Sequence, residues 1–357
     1  MKSRGIALLA GLAALMVAGV IAGAGAAGTN GLPGGNIVYA GADPKDGLSD
    51  VYVMKADGST QTNITDSDSG AVRKDVAPEL SRDGSSVVFV RHYDSGKTRL
   101  MVVKANGTGL IDVTPTAFDV QNIAEPSWSP SGTQIVFSSN VDGNYDLYMV
   151  DLASGVASKL THTRSPVQNL DPAWSPNGKR IVFSRSGESL LSAAAGLFEL
   201  RLDSATRPVR LTQTIKGNGD ADPVYSPDGS RIAFSSDRAG NDDVYFLNRA
   251  SFAVTKMTST KHRDVQPTFS PDGTALAYVS DRSGATEIWA QSLVTVSPAL
   301  GGAIQLTFDG TPKSHPSWGP EAAQPLPLPV PPGADPVESA GSLSGPLPPI
   351  AVAPPAA

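Results

Sequence analysis

The chain has 357 residues, with 28 Lys and Arg against 34 Asp and Glu, four His, no Cys and a formal net charge of −6. The lack of Cys excludes disulfides, thiolate metal sites and a lipoprotein cysteine anchor, so stability has to come from the core, which a chain of this length can supply. A mildly acidic balance with no run of Lys or Arg excludes a dedicated nucleic-acid surface.

Residues 1–28 carry Lys2 and Arg4, then an uncharged run from Gly5 to Gly28 with its apolar heart at Ile6 to Ile21. Ala22-Gly23-Ala24 and Ala24-Gly25-Ala26 offer small-residue cleavage sites. This predicts a secretory signal peptide. The alternative is an uncleaved N-terminal anchor, since the run is nearly long enough to span a bilayer. In both cases the basic end stays inside and the rest is exported to the cell envelope, periplasm or exterior.

From residue 29 to 320 a short grammar repeats. Its clearest copies are Pro126-Ser127-Trp128-Ser129-Pro130-Ser131-Gly132, Pro172-Ala173-Trp174-Ser175-Pro176-Asn177-Gly178, Pro223-Val224-Tyr225-Ser226-Pro227-Asp228-Gly229 and Pro267-Thr268-Phe269-Ser270-Pro271-Asp272-Gly273. A degenerate copy starts at Pro78 and a truncated one at Pro316, and the leading prolines are 48, 46, 51, 44 and 49 residues apart. The Pro-x-aromatic segment is expected to be a first strand, A, ending in a tight turn whose Gly and Asn tolerate positive φ. A second strand, B, follows as Ile135-Val136-Phe137, Ile181-Val182-Phe183, Ile232-Ala233-Phe234 and Leu276-Ala277-Tyr278, suited to a sheet buried on both faces. Strand C is expected at Asp146–Met149, Asp243–Phe246 and Glu287–Trp289, and strand D at the Leu-Thr or Met-Thr pairs 160–161, 211–212, 257–258 and 306–307.

A period of about 40–50 residues with four strands per unit predicts an all-β, six-bladed β-propeller of four-stranded antiparallel blades. The first unit starts at strand B (Asn36-Ile37-Val38-Tyr39), and the last is a strand A alone (His315-Pro316-Ser317-Trp318). A ring closed by pairing that C-terminal strand with the N-terminal blade leaves no free edge at the seam. Residues 321–357 form a Pro-rich tail, with 12 prolines from Pro320 to Ala357, expected to be extended and without a core.

The Pro-x-Trp-Ser-Pro-Asp-Gly pattern, the Ile-x-Phe-Ser after it, the Ser-Asp-Arg-x-Gly loops (Ser236–Gly240 and Ser280–Gly284), the Asp-Val-Tyr strand and the Leu-Thr ending resemble the WD40-like (PD40) repeats of TolB-type propellers. The resemblance covers about residues 36–320. It implies the propeller, export and a binding role. The α/β domain that precedes the propeller in that family is not expected here, because the first blade follows closely on the expected cleavage site.

In a propeller the residue before each leading proline lies near the channel mouth. Around the ring these are Ala77, Glu125, Asp171, Asp222, Gln266 and His315, and further acids stand three residues before the proline at Asp75, Asp220 and Asp264. Convergent carboxylates, an amide and an imidazole favour a cation, a basic peptide or a hydroxyl-rich sugar. Against this, Asp before Pro is a common turn residue whose carboxylate bonds locally. The loops between strands B and C, carrying Asp237, Arg238, Asp281 and Arg282, are expected on the same face, the Asp–Arg pairs bridging neighbouring parts of the fold or touching a ligand.

No dedicated calcium loop, Gly-x-Ser-x-Gly elbow or metal-spaced histidine set is legible, so neither metal nor cofactor is expected. Ser95-Gly96-Lys97-Thr98 ends like a phosphate loop but has no helix pattern after it. The function expected is a monomeric, non-catalytic scaffold for a protein or peptide, with a glycan as the other ligand class. The enzyme alternative is a polysaccharide lyase or hydrolase using His315 with Glu125 or Asp171.

Overall fold

The computed structural model describes residues 31–65, 72–118, 122–187, 195–204, 207–213, 219–294 and 302–322. The expected signal segment 1–28 and most of the tail lie outside the described residues.

The regular structure of the described chain is almost wholly strand. The first sheet contains β1 (Asn36–Ala42), β2 (Ser49–Lys55) and β3 (Thr62–Asn63). The second contains β4 (Val72–Leu80), β5 (Ser86–Tyr93), β6 (Thr98–Lys104) and β7 (Ile111–Asp112), followed by a 3-10 turn at Thr116–Phe118. Four-stranded sheets then succeed one another in chain order. They are β8 (Ile123–Trp128), β9 (Gln134–Ser139), β10 (Asp146–Asp151) and β11 (Ala157–Lys159); β12 (Gln168–Trp174), β13 (Arg180–Ser186), β14 (Gly196–Arg201) and β15 (Val209–Arg210); β16 (Asp220–Tyr225), β17 (Arg231–Ser236), β18 (Asp243–Asn248) and β19 (Val254–Lys256); and β20 (Asp264–Phe269), β21 (Ala275–Ser280), β22 (Glu287–Ser292) and β23 (Ile304–Gln305). The last strand, β24 (Lys313–Gly319), pairs antiparallel with β1, from Asn36↔Gly319 to Gly41↔Lys313. A single parallel bridge, Ser49↔Lys74, touches the first sheet to the second.

Strand B shows why these runs are apolar at every position. Side chains alternate across a strand, so neighbouring residues serve opposite faces. Ile135 and Phe137 join a cluster with Val88, Val90 and Leu100 of the preceding sheet, while Val136 joins Trp174, Ile181 and Phe183 of the next. Val182 packs with Tyr225 and Phe234, and Ala233 with Phe269 and Tyr278. Ala275, Ala277 and Ile288 of the last complete sheet pack with Ile37, Tyr39, Met54 and Trp318. Val38 and Val51 meet Val87, Phe89 and Met101. Each sheet is thus the core of two interfaces. Truncating a ring such as Phe183 to Ala would cost about 3–5 kcal/mol.

Two expectations need correction. Strand D does not lie on the Leu-Thr pairs but just before them, at residues 157–159, 209–210, 254–256 and 304–305. The Thr instead turns its hydroxyl onto strand C. Thr65, Thr114, Thr161, Thr212, Thr258 and Thr307 Oγ1 accept the N–H of Val51, Leu100, Leu147, Leu197, Val244 and Ile288, at 2.8–3.0 Å. The pair therefore ends the outer strand, because the hydroxyl takes a donor that a longer strand D would have used. Strand A also begins earlier than its proline. In β12 and β20 the leading proline falls in mid-strand, preceded by three or four residues already paired or entering the pairing.

Candidate binding cavity

The mid-strand position of the proline creates the site. In β4, β8, β12, β16 and β20 the register with strand B slips across the pre-proline residue and the proline, between Val76 and Glu79, Ala124 and Ser127, Leu170 and Ala173, Ala221 and Val224, and Val265 and Thr268. In β24 the same slip skips His315 and Pro316. Proline has no N–H for the ladder, so a bulge is where a strand can hold it. At each bulge the pre-proline residue takes positive φ: 52° at Ala77, 46° at Glu125, 49° at Asp171, 49° at Asp222, 54° at Gln266 and 49° at His315. A left-handed non-glycine residue costs about 1–2 kcal/mol. The bulge turns all six side chains into one cavity of about 830 Å³.

At its floor the polar residues contact one another. His315 Nε2 lies 3.4 Å from Glu125 Oε2 and 2.9 Å from Gln266 Nε2, while His315 N–H donates to Gln266 Oε1 at 2.8 Å. An amide nitrogen only donates, so the ring has two states: neutral it accepts from Gln266, and protonated it donates to Glu125. Burial disfavours the charged ring, but Glu125, Asp222 and Asp171 outweigh it and push His315 up to about 9. Burial likewise works against the Glu125 carboxylate, and the imidazolium holds it below its usual range.

Among the described residues, Asp171 and Asp222 have no ion pair of this kind. Asp171 Oδ2 accepts Ser184 Oγ–H at 2.6 Å and faces Asp222 N at 3.4 Å, and Asp222 Oδ2 accepts Ser235 Oγ–H at 2.7 Å. Burial first, then the neighbouring Asp222 and Glu125 charges, raise Asp171 to about 7. Burial raises Asp222 as well.

The acids three residues before the proline are placed differently. Asp75 is fully buried and holds Arg91 in a bidentate pair at 2.7 and 2.8 Å. Asp264 takes Arg282 at 2.7 Å and Asp220 takes Arg238 at 2.6 Å. The guanidinium groups lie over Phe89, over Phe234 and Tyr245, and over Tyr278 and Trp289. Asn169 and Arg185 repeat the arrangement at 2.7 Å. These side chains lock strand A to the end of strand B and do not line the cavity.

Arg238 and Arg282 thus bridge within their own sheets, and their partners are the strand A acids rather than Asp237 and Asp281 beside them. Asp237 sits in the turn closed by Gly240 N–H, and Asp281 accepts Arg263 N–H at 3.0 Å and lies 3.3 Å from His262 Nδ1. The cavity runs from the bulges toward the turns joining A to B, and none of the described residues of the B–C loops, at the other end of each sheet, lines it. His262, placed on that other end, is not brought to His315.

The wall contains two groups that the repeat pattern hides. Glu79, where other copies carry Ser, Ala, Val or Thr, lines the cavity and accepts Trp128 N–H at 3.0 Å and Ser127 Oγ–H at 3.2 Å. Burial raises it to about 7 in spite of those bonds. Arg82, where other copies carry the second proline, reaches along the rim to the Pro176 carbonyl at 2.9 Å. Both stand in the degenerate copy, and departure from the repeat is the signal that would have found them. The rest of the rim is proline against glycine: a Cβ on Gly229 or Gly273, both at positive φ, would lie 3.7 Å from Pro176 and 3.4 Å from Pro227.

Comparison with known proteins agrees with this fold. The family model described as the TolB beta propeller domain (PD40) matches residues 76–192 and 197–325. A protein TolB homolog of Chlorobium luteolum is 25% identical over 215 residues, 60% of this chain and 34% of the relative, so the chain spans about a third of that relative's length. The crystal structure of TolB from Acinetobacter baumannii superposes with a TM-score of 0.65 at 19% identity, covering 80% of this chain and 67% of that one. An oligogalacturonate lyase in complex with manganese superposes with a TM-score of 0.52 at 15% identity over 77% of each chain. These two likenesses show a shared fold. With the repeats, the sheets and the family match over more than half of its residues, the chain belongs to the TolB β-propeller domain family.

Proposed function

We propose that residues 29–320 form a six-bladed propeller closed by strand β24, exported behind the segment 1–28. In this reading it works outside the cytoplasm as a monomeric, non-catalytic scaffold that takes a protein or peptide segment into its axial cavity. The observation that carries the reading is the convergence of the pre-proline residues. Six strands spend strain on one bulge each, and the residues so presented are not one turn-forming type but Glu, Asp, Gln, His and Ala. Support for ring closure comes from the β24–β1 pairing and from the cluster joining Ala275, Ala277 and Ile288 to Ile37 and Trp318. Residues 321–357 would be a spacer.

The second reading, a polysaccharide lyase or hydrolase, has the Glu125–His315 pair in its favour. A lyase base must be neutral near its working pH. His315 at about 9 is charged there, and Glu125, Asp171 and Asp222 would repel a uronate. Both facts favour binding.

The test is affinity capture from envelope or culture fluid with the mature chain as bait. The control is the triple variant Glu125→Gln, Asp171→Asn, Asp222→Asn. A protein retained by the native bait and lost by the variant supports the scaffold. Recovery of glycan alone, or cleavage of an acidic polysaccharide, overturns it. Deleting residues 313–322 tests closure: an open seam would expose Trp318's partners and lower the melting temperature by roughly 5–8 °C, on the order of 3–5 kcal/mol.

A further inference from the structure

Ser138 is fully buried, and its Oγ has no hydrogen-bond partner among the described residues. The register shows what equivalent hydroxyls do. Ser138 pairs with Ala124, the residue before Glu125, as Ser184 pairs with Leu170 before Asp171 and Ser235 with Ala221 before Asp222. In those two sheets the serine donates to the bulge carboxylate beside it, at 2.6 and 2.7 Å. In the sheet of β8 and β9 the bulge acid is Glu rather than Asp, and its carboxylate has gone to His315 instead. It reaches that ring past β4, which lies between β8 and β24: Trp128 N–H donates to Glu79 on one side, and Leu80 N–H to Ser317 Oγ on the other. The bulge residue of β4 is Ala77, which puts only a methyl group between the two. A buried hydroxyl without a partner is destabilising, so its presence needs a reason.

We propose that Glu125 has two seats on the cavity floor, the His315 ring and the Ser138 hydroxyl, and that loss of the ring proton moves the carboxylate from the first to the second. The Nε2 proton leaves to water, and the freed lone pair accepts the Gln266 amide N–H at 2.9 Å. The carboxylate, still ionised, takes the Ser138 Oγ–H as Asp171 and Asp222 take theirs. The extra methylene of Glu lets one side chain serve both seats, where an Asp would stay with its serine. Ser138 is thus a positioning residue for the floor, whichever ligand the cavity takes. A ligand oxygen that accepted the His315 N–H would release Glu125 to the same seat, and no buried carboxylate would be left bare.

The charges that act on the ring are Glu125, Asp222 and Asp171, from β8, β16 and β12. On the strands packed against β24, the other described titratable groups are engaged elsewhere, except Lys74 of β4, which is exposed. Asp75 of β4 has Arg91, and Glu79 has Trp128 N–H and Ser127. Asp264 of β20 and Tyr278 of β21 share Arg282, and Tyr39 of β1 has Gln61. Glu287 of β22 has Thr307 and Gly310 N–H, and Lys313 of β24 itself is paired with Asp309.

The experiment is an NMR titration of the histidine ring C–H signals of the full chain through the His315 transition at about pH 9, the His315 signal being identified by its loss in His315→Gln. Ser138→Ala withdraws the second seat, so the deprotonated state is the one destabilised. The His315 midpoint should then rise by about one pH unit, the tenfold change that one hydrogen bond to a charged group supplies. Ser138→Thr keeps the hydroxyl and should restore the native midpoint. A serine with a purely structural role changes stability alike at every pH, so an unmoved or lowered midpoint in Ser138→Ala overturns the proposal. Crystals of the native chain, taken below and above the transition, decide the matter even where the variants fail to fold. Glu125 within hydrogen-bond distance of Ser138 Oγ only in the high-pH form bears the proposal out. A carboxylate still beside His315 at high pH, or turned to bulk water, overturns it.

Discussion

Two positions of strand A stand two residues apart and the acids on them meet opposite fates; β16 carries one at each, Asp220 and Asp222. Asp75, Asp220 and Asp264, ahead of the bulge, are buried with an arginine each, and that arginine is itself stacked on aromatic rings. Glu125, Asp171 and Asp222, at the bulge, turn into the cavity, and among the described residues two of them are bonded only by hydroxyl and backbone groups. Spacing of two would put both rows on one face of a regular strand. The extra residue of the bulge reverses that parity. The row that holds the fold together and the row available to a ligand are separated by one unpaired step of backbone.

The difference can be broken most forcefully from the structural row. Asp264→Ala leaves Arg282 buried without its partner, a cost of about 3–5 kcal/mol, and calorimetry should find the melting temperature lowered by roughly 5–8 °C. Glu199→Ala should cost a similar amount, since Arg180, Arg249 and the Tyr225 hydroxyl all converge on that one buried carboxylate. A fall of only a degree or two in either variant would show that these pairs are dispensable.

The cavity row should behave in the other direction. Asp171 rises from 3.8 to about 7, so the folded state binds its proton more tightly than the unfolded chain does. Ionising it therefore removes stability progressively as pH rises from 3.8 to about 7, and the loss is complete above that. Asp171→Asn should thus gain on the native protein across this window, by a few degrees at pH 8. A variant less stable than native at pH 8 would mean that Asp171 locks the bulge rather than waiting for a ligand.

The smallest effect is the most local. His315 is raised from 6.5 to about 9, so its ion pair stabilises the fold fully below pH 6.5 and is lost as pH climbs through 9. In Glu125→Gln the His315 ring should titrate at lower pH, toward its ordinary value. An NMR titration of the ring C–H protons reads this directly, and an unmoved midpoint would assign the shift to some other charge.

Much of this was legible in the repeats. The B strands announce themselves because a sheet with two buried faces needs apolar residues at every position, and Ile135-Val136-Phe137 has no polar face to offer. The six pre-proline residues could be picked out because proline marks the position. The Arg–Asp–aromatic stacks were harder, since Arg91, Arg185, Arg238 and Arg282 stand at two different distances from their strand B aromatics. Arg91 and Arg185 reach their strand A partners, Asp75 and Asn169, from within strand B, whereas Arg238 and Arg282 reach Asp220 and Asp264 from the loop after it. Glu79 and Arg82 were visible only as departures from the pattern in its weakest copy.

The sequence by itself determined the strands, their order, the turns and the set of residues before each proline. These follow from periodicity, backbone sterics and missing N–H groups, which act over a few residues. Only the tertiary structure decided which of two neighbouring acids meets an arginine, that strand D stops short of its threonine, and that the cavity opens toward the A–B turns instead of the B–C loops. Those outcomes depend on one-residue slips in register and on side chains brought from other strands. No local rule reaches that far.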